Sequence, residues 1–252
     1  MFNNFVLGKY YPADSLIHRM NSFNKLLCVL TFLIGIMIIN QLILYIMLII
    51  FTLIIIIISK VPFVLFLSGL KKMSILMAVV FLFELLFSFN VVSAFILVIR
   101  IILIVIYTSI LTYTTTPNEI TYAFEQLLSP LKAIKVPVTD LAFLLSLSLR
   151  FVPLTLEQAN KILKSQASRG IDFKHSNIKG KIVALSSMLV PMIILSLKRA
   201  EKLADVMEVR LYGVEPTRTY YRLNKWTKED NTIFTFHLGF LIVLIICEVV
   251  ML

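Results

Sequence analysis

Charged residues are scarce in this chain of 252 residues. They make up 15% of it, whereas hydrophobic residues make up 59%, and the mean hydropathy is +0.94. A soluble domain is about 25% charged and about 45–50% apolar. The proportions therefore exclude a soluble globule and a disordered chain, and they indicate a polytopic membrane protein.

Cysteine and glycine are rare as well. The two cysteines, Cys28 and Cys247, both lie in apolar runs, with no CxxC pair and no Cys/His spacing that suits zinc. This excludes a disulfide scaffold and a structural zinc site, and we expect both thiols to be buried. The seven glycines form no GxxxxGK[ST] phosphate loop, so we expect no ATP, metal or other cofactor on this chain itself.

Long apolar runs are what the sequence has in abundance. A membrane-spanning helix needs about 20 residues, and Asn40 and Gln41 are the natural point at which to fold the first long run into a hairpin. We predict an all-α polytopic membrane protein with about five transmembrane helices and long cytoplasmic amphipathic helices. The five runs are Leu26–Ile39, Leu42–Ile58, Ile75–Phe89, Val91–Tyr113 and Ile233–Leu252.

The positive charge predicts the orientation. Basic residues collect on the cytoplasmic side of membrane proteins, and residues 114–230 hold 17 of the 24 lysines and arginines. We therefore predict three regions: a membrane domain over 1–113, a cytoplasmic region over 114–230 and a last transmembrane helix over 231–252. The chain would lie in the cell membrane with its N-terminus in the cytoplasm.

Three ionisable residues, Glu84, Arg100 and Glu248, fall inside the apolar runs. Such groups are costly in lipid and are usually paired. Glu84 and Arg100 flank the same outer turn, so an intramembrane ion pair between them is feasible. It would be either structural or part of a contact with a partner or a substrate. Glu248 lies near the outer end and is expected at the interface.

Two long helices are predicted in the basic region. The first runs from Leu154 to Arg169 after a break at Pro153, and the second from Ile178 to Tyr212 with a kink at Pro191. The second carries apolar residues at the spacing of an amphipathic helix. This stripe comprises Ile182, Leu185, Leu189, Ile193, Leu197, Ala200, Leu203 and Met207.

An arginine stands near the end of each of these helices, Arg169 in the first and Arg210 in the second. In both, it follows an alanine by ten residues, which suggests one device used twice. A guanidinium at a helix end suits the carboxylates and backbone carbonyls of a partner, and it also complements the helix dipole. Solvated arginines with no partner remain the alternative from spacing alone.

Several motifs together resemble the transmembrane T component of energy-coupling factor transporters, which are ATP-driven importers of vitamins and metals. The resemblance covers nearly the whole chain. It rests on Gly8–Met20, Thr115–Thr121, Leu128–Lys132, Ser148–Pro153, Val190–Pro191 with Ser196–Glu201, and Arg218–Arg222. The family carries two Ala-Arg-Gly motifs at the tips of two coupling helices. Ser168, Arg169 and Gly170 match the first, while Val209, Arg210 and Leu211 keep only the arginine of the second.

The resemblance implies a non-catalytic coupling subunit with three partners besides the lipid bilayer. Each arginine tip would dock into a groove on one of two ATP-binding-cassette ATPases, which bind the ATP. The coupling helices would hold a small membrane-embedded substrate-binding subunit against an apolar face. On this chain that face comprises Leu185, Leu189, Met192 and Ile193.

Two other functions fit the sequence less well. An intramembrane enzyme needs converging acid, base or metal groups, but His18, His175 and His237 are far apart in sequence. A self-contained transporter usually shows repeated spans, and none is visible here. A nucleic-acid partner is not expected, since membrane topology accounts for the basic balance.

Overall fold

A computed structural model describes residues 10–171, 178–214 and 226–251, and in these ranges the only regular structure is helical. Arg218–Arg222, His175 and Gly8 lie outside the described residues. The helices are α1 (Leu16–Arg19), α2 (Ser22–Ile38), α3 (Leu42–Ser59), α4 (Phe63–Ser88), α5 (Val91–Thr114), α6 (Pro117–Leu128), a 3-10 helix (Ser129–Ile134), α7 (Val138–Ser168), α8 (Ile178–Val209) and α9 (Lys228–Met251).

The described residues form two compact units. The membrane unit takes in residues within 8–142 and 224–252, so α9 belongs with the N-terminal helices. The helical-pair unit takes in residues within 143–223 and consists of most of α7 together with α8.

The core of the membrane unit lies between α2, α3, α5 and α9. The rings of Phe32 and Tyr107 stack with centroids 3.9 Å apart, and Phe51 stacks on Phe240 at 4.2 Å. Helices α2 and α9 approach closely at Gly35, where a Cβ would lie 3.1 Å from a methyl group of Leu241. Glycine at this position therefore allows the two helices to pack side by side.

Five described helices are long and apolar enough to cross a membrane: α3, α5, α7, residues Ile182–Val209 of α8, and α9. The all-α membrane class with about five candidate spans is confirmed, but the set of helices differs from the prediction, since α7 and α8 lie in the region predicted to be cytoplasmic. The first predicted span falls in α2, which has only 17 residues. The third is the second half of α4, a 26-residue helix with Lys71 and Lys72 near its middle.

The predicted break at Pro153 is wrong, since α7 continues from Val138 through Pro153 to Ser168. A proline inside a helix removes one backbone hydrogen bond, but the bonds of the surrounding turns can keep the helix intact. Helix α8 likewise continues through Pro191. By contrast, α6 begins at a regular capping box, in which Thr116 and Glu119 bond each other's backbone amides.

One end of the membrane unit is held by buried polar groups from distant parts of the chain. A carboxylate oxygen of Asp230 accepts from the amide of Asn21 at 2.9 Å, and the Asn24 side chain donates to the Asp230 carbonyl at 2.7 Å. The Lys25 ammonium donates to the carbonyls of Thr114 at 3.0 Å and His18 at 3.2 Å. These bonds join α2 to α9, to the end of α5 and to α1.

At the opposite end, charged groups of α5 and α9 converge on the turn between α2 and α3. The Arg100 guanidinium donates to the Ile39 carbonyl at 2.8 Å, the Asn40 side chain at 3.0 Å and the Tyr45 hydroxyl at 2.8 Å. The Glu248 carboxylate, only 1% exposed, accepts from the amides of Asn40 at 3.2 Å and Gln41 at 3.3 Å.

The sequence-based pairing of Arg100 with Glu84 is therefore wrong. Among the described residues the salt bridge found is that of Arg19 with Asp14, and Glu84 instead accepts from the hydroxyl of Ser88 at 2.7 Å. The guanidinium turns to the α2–α3 turn because the carbonyl there has lost its helical partner. Glu248 is likewise buried against that turn.

Substitution of Arg100 by methionine should destabilise the protein by about 2–3 kcal/mol, because bonds from a charged donor to buried acceptors are lost. The comparison substitution Glu84→Gln, at the residue that the sequence paired with Arg100, should change stability by less than about 0.5 kcal/mol. Unfolding of each purified variant in detergent measures both effects. Equal destabilisation by the two substitutions would contradict the contacts described.

Candidate functional site

The first predicted tip, at the end of α7, has a regular C-terminal cap. The amide of Gly170 bonds the carbonyl of Ala167 at 3.0 Å, and the amide of Ile171 bonds the carbonyl of Gln166 at 3.2 Å. Gly170 has φ +88°, the left-handed conformation that glycine adopts without strain. This is the Schellman pattern, in which Arg169 is the last residue before the left-handed position.

The second tip, at the end of α8, has the same backbone pattern. The amide of Leu211 bonds the carbonyl of Glu208 at 2.9 Å, and the amide of Tyr212 bonds the carbonyl of Met207 at 2.9 Å. Leu211 takes the place of the glycine at φ +56°. Arg210 therefore stands in its cap as Arg169 does, although the residue types on both sides differ.

All six tip residues are exposed: Ser168, Arg169, Gly170, Val209, Arg210 and Leu211. Neither guanidinium forms a salt bridge within the described ranges. The cap bonds use backbone groups only, so both arginine side chains are left for an outside acceptor. Val209 and Leu211 add apolar surface beside Arg210, being 84% and 72% exposed.

Helices α7 and α8 lie antiparallel. The rings of Phe143 and Tyr212 stack at 5.1 Å, while fifteen residues further along α7 the side chain of Gln158 accepts from Arg199 at 2.6 Å. Residues nearer the end of α7 therefore contact residues nearer the start of α8. Arg210 lies beside the Phe143 end and Arg169 at the other end. At 1.5 Å per residue the two tips are on the order of 40 Å apart.

Arg199 is the polar centre of the contact between these helices. Besides its bond to Gln158, its guanidinium lies 5.8 Å from the centroid of the Phe151 ring. An arginine over an aromatic face gains roughly 0.5–2 kcal/mol, depending on its desolvation. Sequence reasoning placed Arg199 only in a motif, because nothing along the chain connects it with Gln158.

The apolar surface of α8 is broader than the predicted stripe. Of the proposed contact residues, Leu185 is 55% exposed, Leu189 42% and Ile193 58%, and Met192 is half-buried. Ile182 and Leu197 of the stripe are exposed too, and so are Val183, Val190, Ile194 and Leu195 on further faces. A helix with this much apolar surface needs lipid or an apolar partner around it.

Groups for hydrolytic or metal chemistry are not brought together. Within 10–171, 178–214 and 226–251, no three His, Cys, Asp or Glu side chains are placed to hold a metal ion. His237 is buried in α9 with its ring 3.3 Å from the Tyr107 hydroxyl, whereas His18 bonds Ser15 and the Tyr11 carbonyl. Burial lowers the pKa of the His18 imidazole. These two histidines occupy separate structural positions.

Known proteins are similar in sequence to this chain over most of its length. The sequence model of a family described as cobalt transport protein, CbiQ, matches residues 13–221. The energy-coupling factor transporter transmembrane protein EcfT of Bacillus subtilis is 35% identical over 249 residues, covering 92% of this chain and 94% of the relative. The EcfT proteins of Lactococcus lactis and Listeria innocua are 34% and 32% identical, covering 91% and 92% of this chain and 92% and 94% of theirs.

The chain belongs to the family of energy-coupling factor transmembrane components. The resemblance drawn from the motifs is confirmed, and with it the assignment to a membrane transport system. The matched segment includes the first tip, the second tip and the Arg199 contact of this T component.

Substituting Leu211 by glycine should tighten the second tip of the T component by up to about 1 kcal/mol, because a left-handed residue with a Cβ is strained. Hydrogen exchange at the amides of Leu211 and Tyr212 should slow by up to about fivefold, whereas Leu211→Ala, which keeps the Cβ, should not slow it. In the first tip, Gly170→Ala should speed exchange by a similar factor. Identical exchange in the glycine and alanine variants of Leu211 would refute the strain.

Proposed function

We propose that this T component links two ATP-binding-cassette ATPases to a membrane-embedded substrate-binding subunit and serves vitamin or micronutrient uptake. The observation that carries the proposal is the pair of equivalent caps, each presenting one exposed arginine that forms no salt bridge with a described residue. Two similar sites far apart on one helical pair suit two similar subunits, one at each end. A cation fixed at a helix end suits acceptors in a partner's groove.

Orientation is part of the same proposal. The tips must face the compartment that holds ATP, so the region over 114–230 lies on the cytoplasmic side with the N-terminus. The basic excess of that region supports this side. The membrane domain over 1–113 and the last helix over 231–252 remain in the bilayer.

The substrate-binding subunit is proposed to lie against α8. Leu185, Leu189 and Ile193 present adjoining exposed apolar side chains, with Met192 beside them as an adaptable contact. An apolar helix surface of this kind is the usual partner of another membrane helix. Substrate choice then belongs to that subunit, and this chain contributes position and movement.

The proposed coupling mechanism follows from the contacts that join the two helices. When the ATPases move on binding and hydrolysing ATP, each carries one tip with it. Because the Phe143–Tyr212 and Gln158–Arg199 contacts join α7 to α8 and its end, displacement of the tips shifts the angle or position of the helices as a whole. The bound subunit is thereby reoriented in the membrane.

Charge reversal at both tips, Arg169→Glu with Arg210→Glu, should remove the ATPases from the complex and abolish uptake. Loss of one buried interfacial charge pair costs about 2–5 kcal/mol, so each single reversal should weaken association at least 30-fold. Lys164→Glu and Lys202→Glu make the same charge change at exposed positions on α7 and α8 and should have little effect.

The measurements are the amount of ATPase that copurifies with the tagged chain and ATP-dependent uptake in vesicles. A doubly reversed protein that assembles and transports like wild type would refute docking through the tips. Loss of assembly in the lysine controls as well would point to general charge rather than to the two caps.

A further inference from the structure

The membrane unit contains a groove that the docking function does not use. It has a volume of about 620 Å³ and lies between α3 and α9, with α2 and α5 as its floor and α1 at one end. Five lining residues are buried: Cys28, Val29, Tyr107 and Ile110 on the floor, and His237 on α9. Leu16, Met47, Ile50, Ile54, Ile58 and Phe236 along the rim are 40–71% exposed.

The dimensions of the groove match one leaflet of a bilayer. Met47 and Ile58 both line it and are eleven residues apart on α3, which is about 17 Å along the helix axis. Half of a bilayer's hydrocarbon core is about 15 Å thick. The rim side chains are apolar and, apart from Leu16 of α1, belong to candidate spans, so the groove opens towards hydrocarbon.

A single positive charge lies at one end of this groove. Lys25 lines it, is 5% exposed and lies at the end where α3 finishes, opposite the α2–α3 turn. Its ammonium donates two hydrogen bonds to carbonyls, which leaves one of its three donors. It forms no salt bridge with a described residue.

The nearby carboxylates are committed elsewhere. Glu119 and Asp230 attract Lys25 only from beyond salt-bridge distance. Glu119 completes the cap of α6, and the two oxygens of Asp230 accept from Asn21 and Thr227. A buried charge of this kind is costly unless an anion approaches it.

We propose that this groove binds one anionic phospholipid, with an acyl chain between α3 and α9 and the phosphate at Lys25. The apolar walls recognise the chain and the ammonium recognises the headgroup, so both parts of the ligand are matched. Basic pockets at the ends of membrane helices select anionic headgroups in this way. The end of the groove that holds Lys25 is placed in the cytoplasmic leaflet, and that placement rests on the proposed function. The groove and its ligand do not rest on it.

Native mass spectrometry of the full-length chain, purified in mild detergent and supplied with phosphatidylglycerol, tests the site. Wild type should retain one lipid per chain. Ile54→Trp fills the rim without touching the core and should lower lipid affinity at least tenfold. Ile57→Trp adds the same bulk at a 75% exposed position outside the groove and should retain the lipid.

The headgroup is tested separately. Wild type should prefer phosphatidylglycerol to phosphatidylcholine, and Lys25→Gln should remove that preference while leaving a bound chain. Equal retention by the Ile54 and Ile57 variants, or no lipid retained by folded wild type, would overturn the proposal. So would stoichiometric release of the lipid when the small membrane subunit binds, since the groove would then belong to that subunit. None of these outcomes depends on the ATPases.

Discussion

The turn between α2 and α3 leaves a backbone carbonyl and two backbone amides without helical partners, and side chains from distant helices satisfy them. The Ile39 carbonyl takes a guanidinium from α5, and the Asn40 and Gln41 amides take a carboxylate from α9. An unsatisfied backbone group in hydrocarbon costs several kcal/mol. Arg100 and Glu248 therefore fix α5 and α9 against the same turn, although they are far from it in sequence.

The helical-pair unit solves the same problem differently. At the ends of α7 and α8 the last carbonyls are satisfied locally by left-handed caps, so no charged side chain is needed there. Arg169 and Arg210 are consequently exposed and available. The protein thus separates its charges into those committed to helix ends inside the membrane unit and those left at the tips for other subunits. This separation is the physical basis of the proposed docking.

Local sequence signals predicted much of the fold. The turn at Asn40–Gln41, the break between α4 and α5 and the end of α7 beside Arg169 all follow from short-range chemistry. The predictions failed where partners are distant. Arg100 was paired with Glu84 because they flank one turn, whereas its acceptors lie about sixty residues away.

The helix tips show how far local reasoning extends. The position of both arginines and a shared helix ending were predicted, but the left-handed conformation at Leu211 was not, because Val209 and Leu211 depart from the usual small residues. Backbone geometry shows that Leu211 adopts the conformation of Gly170 despite its side chain. At Pro153 the local signal predicted a break, but α7 continues through the proline.

The central claim is that one copy of this chain holds two ATPases and one small membrane subunit together. Native mass spectrometry of the complex purified through the tagged chain from its own membrane tests this directly. We expect a mass equal to one copy of the chain, two ATP-binding-cassette subunits and one small membrane protein. A chain that purifies without any ATPase in mild detergent would contradict the account.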